Sequence, residues 1–76
     1  MKIIEKRVRI RPEILKEVTK NKVLRRALED YYEFESASAI FSLIKRTPER
    51  LTKEYPMNII KAYLKLEENE IVEEIN

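Results

Sequence analysis

From Lys2 to Arg11 the chain reads KIIEKRVRIR, with apolar and charged residues in alternation. Successive side chains of a strand point to opposite faces. An extended segment here therefore puts Ile4, Val8 and Ile10 on one side and Arg7, Arg9 and Arg11 on the other. A lone strand can neither bury an oily face nor satisfy its backbone groups. No later segment reads as a strand, so the expected partner is the same strand from a second copy. The product would be a homodimer joined by an intermolecular two-stranded antiparallel ribbon, with Ile4, Val8 and Ile10 as its core. Such an arginine-lined ribbon has a shape that enters the DNA major groove.

The rest of the composition narrows the alternatives. Seventy-six residues make one small domain, marginal alone. With no cysteine and no histidine, neither disulfides nor the usual zinc sites can staple it, which leaves dimerisation to enlarge the core. No run approaches the roughly 20 apolar residues of a membrane span, and Met1–Ile4 is too short for a signal peptide. A cytoplasmic location with no membrane partner is the expectation. Charged residues are 39% of the chain and glycine is absent, a usage that resembles thermophile proteins. The charge is also unevenly placed. Residues 1–26 hold ten Lys/Arg and three Asp/Glu, a net +7, while residues 27–76 hold six and eleven, a net −5. A basic pole beside an acidic one fits a polyanion bound at one end.

Pro12 and Glu13 open a helix, because proline suits the first turn and the helix dipole favours an anion there. Ile14, Leu15 and Val18 form its apolar stripe. Val23, Leu24, Ala27, Leu28, Tyr31 and Tyr32 form a second stripe, rotated roughly 140° from the first at 100° per residue. One straight helix cannot bury both. The expected break lies at Thr19-Lys20-Asn21-Lys22, where Thr19 and Asn21 are good N-caps, giving helices over 12–18 and about 20–34. The rival is one helix over 12–34. Ala37, Ile40, Phe41 and Ile44 have helical spacing, with Ser36 or Ser38 as cap. Thr47-Pro48-Glu49 starts a further short helix. Tyr55, preceding a proline, is biased out of the helical region, and Pro56 starts a last helix with Ile59, Ile60, Tyr63 and Leu64. Ile71, Val72 and Ile75 either extend that helix or form a tail that packs on the partner. The expected fold is mainly α with one N-terminal strand, a single domain 1–76 with a DNA-binding part (1–35) and a helical part (36–76).

Two segments in order, KRVRIRPEILKEV and TKNKVLRRALEDYY, resemble the ribbon-helix-helix repressors. The first is similar to that family's basic ribbon running into its first helix. The second is similar to the opening of its second helix. The chain departs from the pattern in a shorter first helix and in the lack of a glycine after it. If residues 12–34 are one helix, the family's second helix would start near Ser36 or Ser38 instead. Downstream, AIFSLIKRTPERLTKEYPMNIIKAYL is similar to short helix-turn-helix domains of prokaryotic antitoxins.

The resemblance implies that Arg7 and Arg9, with Glu5 as a third position, contact DNA bases, while Arg11 reaches base or phosphate. It implies that the turn Thr19, Lys20, Asn21 and Lys22 anchors the DNA backbone. The chemistry is consistent: an arginine fork matches guanine O6 and N7, a carboxylate can accept from cytosine N4, and a helix N-terminus binds phosphate. Glu5 could equally pair with an arginine across the ribbon. Arg25 and Arg26 read as solvated or paired with acids such as Glu29. Tyr31, Tyr32 and Phe41 lie on apolar stripes and read as core, with Tyr55 and Tyr63 similar. Without cysteine, histidine or a glycine-rich loop, catalysis finds no support, and no cofactor or metal is expected. The acids at 67–74 read as a solvated face. The expected function is double-stranded DNA binding by a transcriptional regulator, with a repressor as the expected type. The alternative is an antitoxin or other interaction module whose C-terminal helices hold a toxin or other protein.

Overall fold

A computed structural model describes residues 7–75. Strand β1 (Arg7–Ile10) leads into helices α1 (Pro12–Lys20), α2 (Lys22–Tyr32) and α3 (Ala37–Arg46). A 3₁₀ turn (Pro48–Thr52), α4 (Glu54–Leu64), a one-turn α5 (Glu68–Ile71) and strand β2 (Val72–Ile75) follow. The protein is mainly helical, as its sequence predicts. Ile4 and Glu5 lie outside the described residues.

The break between the first two helices is a single residue. Asn21 leaves helical geometry (φ −84°, ψ 98°), donates its N–H to Glu17 O at 2.9 Å and accepts from Leu24 N–H through its side chain at 3.0 Å. It closes one helix and caps the next. The resulting turn rotates the second stripe back to the side of the first, so Ile14, Val18, Leu24 and Leu28 are all buried. Thr19 is not the cap; its hydroxyl donates back to Leu15 O at 2.8 Å. Asn21→Ala should cost about 1 kcal/mol in urea unfolding, with Asn21→Ser retaining most of the stability. An unchanged midpoint for the alanine variant would mean that the cap does not hold this junction.

A chain with no glycine has to end helices by other means. Glu33 (φ 58°) and Lys65 (φ 56°) take the left-handed conformation after α2 and α4, at about 1 kcal/mol each for a residue with a Cβ. At Glu33 the Phe34 N–H reaches Glu29 O and the Glu33 N–H reaches Asp30 O, which satisfies the last carbonyls of α2. Tyr55 departs from expectation, since α4 begins at Glu54 and includes it. Pro56 then falls in the first turn, where a missing N–H breaks no helical bond.

The largest correction concerns β1. Its partner is not a second copy of itself but β2 of the same chain, antiparallel, with Arg7 opposite Ile75, Val8 opposite Glu74, Arg9 opposite Glu73 and Ile10 opposite Val72. Arg11 N–H extends the ladder to Ile71 O at 2.8 Å. The segment 71–75 is thus neither a helix extension nor a tail. Its helical spacing of apolar residues is interrupted after Ile71, where α5, opened by the Glu67/Glu70 capping box, gives way to extended backbone. Ile10 is buried beneath the ribbon, whereas Val8 stays 37% exposed. One hydrophobic cluster runs from Ile10 through Val18, Leu28, Ile40, Leu51 and Ile60 to Ile71.

Candidate nucleic-acid interface

Pairing within the chain changes what the ribbon arginines face. Directly opposed residues of an antiparallel pair share a face of the sheet, so Glu73 stands on the face of Arg7 and Arg9. Arg9 donates through Nε (2.8 Å) and Nη2 (2.6 Å) to Glu73 Oε2. Arg11 lies 3.6 Å from the other carboxylate oxygen and donates through Nη2 to Asn69 O at 3.1 Å. The fork of Arg9 that would read a base is therefore held by a carboxylate. Arg7 is exposed and faces Ile75. In the expected phosphate-binding turn, Thr19 and Asn21 are committed to backbone bonds, and only Lys20 and Lys22 extend into solvent. The outer face of α1 alternates in sign through Glu13, Lys16, Glu17 and Lys20, all exposed.

A second surface escaped the sequence reading. In a chain with 14 acidic residues, the ten of α3, ASAIFSLIKR, include none. Its buried side is Ile40, Leu43 and Ile44. Helical spacing puts Ser38, Ser42 and Lys45 on the opposite side, flanked by Phe41 and Arg46, and all five are exposed. Arg46 and Arg50, with Ser42, Thr47, Ala39 and Phe34, line a hollow of about 310 Å³ that contains no carboxylate. Among the described residues, two hollows along the ribbon differ in this respect, since one includes Glu49 and the other Glu68, Glu73 and Glu74.

Aromatic rings hold the guanidinium groups beside α3. Arg25 is not paired with Glu29 but lies 4.6 Å above the Phe41 ring, and its Nε finds no hydrogen-bond acceptor among the described residues. Arg50 lies 5.0 Å above Tyr32, whose hydroxyl donates to Arg50 O at 3.3 Å, while Phe34 stacks on Tyr32 at 5.2 Å. Burial pushes the Tyr32 phenol above its ordinary value, with the Arg50 charge pulling the other way. Tyr31 and Phe41 are not core residues; they are 43% and 39% exposed, and Tyr55 and Tyr63 are open as well.

No family model, curated protein or solved structure matches this chain.

The chemistry open to this surface is anion binding. Exposed serines and basic side chains donate hydrogen bonds to phosphate oxygens, and guanidinium forks fit them bidentately. Among the described residues no group of three or more acids is placed to hold a metal ion, and no helix is long and apolar enough to cross a membrane. The one pattern that could have pointed to α3 is its lack of acids between acid-rich neighbours. The hollow itself is invisible in the sequence, because it is made where Phe34, α3 and the 3₁₀ turn converge.

Proposed function

We propose that the protein binds double-stranded DNA and regulates transcription, docking through α3 and the hollow beside it. The observation that carries this is the carboxylate-free hollow lined by Arg46, Arg50, Ser42 and Thr47. A phosphate of the backbone would sit there, between two guanidinium groups. Ser38, Ser42 and Lys45 then face the groove, and Arg25, held on Phe41, meets the next phosphates. An α-helix fits the major groove as a ribbon does, so α3 can take the docking role first expected of β1. The ribbon-helix-helix arrangement would require β1 to exchange β2 for its own twin and free Arg9 from Glu73. Lys20 and Lys22 keep a supporting role as exposed cations.

A gel-shift titration across salt concentrations tests this with three proteins. The parent should bind duplex DNA with an affinity that falls steeply as salt rises. Lys45→Glu combined with Arg46→Glu should weaken binding at least about tenfold and reduce the salt slope by about one per phosphate contact removed. Arg9→Gln should weaken it less than about threefold, since Arg9 is already paired with Glu73 and its removal leaves the α3 surface unchanged. The opposite ranking would return the interface to the ribbon. No duplex affinity at low salt would end the DNA reading altogether.

A protein-interaction role is favoured by a separate observation, the tyrosine-rich flank of α2 and α4.

A further inference from the structure

Val23, Ala27 and Tyr31 follow one another at four-residue spacing along one flank of α2. Tyr55, Ile59 and Tyr63 do the same on α4. The two rows meet where Tyr31, at the C-terminal end of α2, stacks on Tyr55, at the N-terminal end of α4, with ring centroids 6.3 Å apart. Val23 and Tyr55 are each 66% exposed, and Tyr63 is 45%. Large exposed aromatics gathered on a two-helix face are the composition of a protein interface.

The charges beside this strip say what covers it. Lys22, Arg26 and Asp30 on the outer edge of α2 next to the Val23 row, with Glu33 just past the helix end, are all exposed, in the order plus, plus, minus, minus. Arg26 and Asp30 stand four apart, yet no ion pair joins any of the four among the described residues. That order is complementary to itself when reversed. On an antiparallel α2 from a second copy, Arg26 faces Asp30 and Lys22 faces Glu33, with every contact made twice by the two-fold axis. Ala27 falls on the axis, where a small residue lets two helices approach, and Val23 packs against Tyr31 of the second copy. A parallel copy would set like charges opposite one another. The same polarity continues on α4, with Glu54 at the tyrosine end and Lys61 at the far end.

We infer that this face is the interface of a symmetric homodimer, in which two α2 helices lie antiparallel across Ala27. This does not rest on DNA binding, and it relocates the dimer contact from β1 to the helices. Charge reversal tests it. The parent should sediment as a dimer at tens of micromolar and dissociate more readily at high salt, as expected for rim charges. Arg26→Asp alone and Asp30→Arg alone should each weaken dimerisation at least about tenfold, because each sets like charges opposite in both halves of the interface. An equimolar mixture of the two variants should reform a dimer with one copy of each, detected by native mass spectrometry, at an affinity within about threefold of the parent. Circular dichroism matching the parent shows that each variant is folded. A parent that stays monomeric at several hundred micromolar overturns the proposal. So do single reversals that dimerise like the parent, or a mixture that fails to pair.

Discussion

Leu28→Ala is expected to remove about 3 kcal/mol of stability, within the range for a fully buried leucine whose cavity cannot collapse. Leu28 has no exposed surface and sits on α2, which packs against both α3 and α4. A 76-residue domain holds in total about 0.05–0.15 kcal/mol per residue, so this one change takes a large share of the margin. The melting temperature should fall by more than about 10 °C. Tyr31→Ala, three residues on, should cost less than about 1.5 kcal/mol in the monomer, because a half-exposed ring already spends much of its surface in water. Calorimetry on the two variants measures the difference directly. Equal losses would mean that α2 turns a different side to the core.

The second large effect concerns the ribbon. A chain ended after Ile71 lacks β2, and with it the ladder opposite Arg7–Ile10, the Arg9–Glu73 fork and the packing of Val72 over the core. Each backbone bond contributes about 1 kcal/mol net. Re-exposing Ile10, now 2% accessible, costs about 1.5 kcal/mol more. The exposed ion pair adds little. A loss of at least about 3 kcal/mol is therefore expected in urea unfolding. If β1 instead paired with its twin, the shortened chain would keep its stability, and that stability would rise with protein concentration. The experiment thus separates the two ribbons without reference to DNA.

β1 announces itself because its charges alternate. β2 reads Val-Glu-Glu-Ile, and its apolar residues fall three apart, with Ile71 just before them, as on a helix. In the fold, Val72 turns inward while Glu73 meets Arg9 and Ile75 stands opposite Arg7. Each face of β2 is thus mixed, and the ladder is specified by its partner rather than by its own period. The tyrosines mislead for a related reason. Tyr31 and Phe41 follow helical spacing, but they sit on the edges of their stripes. A small core is filled by Leu24, Leu28, Ile40 and Leu43 before it reaches them.

The residues themselves determined the first three helices, a break within residues 19–22, the start at Pro12 and the uneven charge. Each of these depends on interactions within one or two turns, and such interactions travel with the local sequence. Which strand meets β1, which flank of α2 stays open, and where Arg46 and Arg50 converge were decided only in three dimensions. These depend on contacts between residues as many as 68 positions apart, from Arg7 to Ile75. What fixes such contacts is competition among all segments for one limited core, and no local pattern records its outcome.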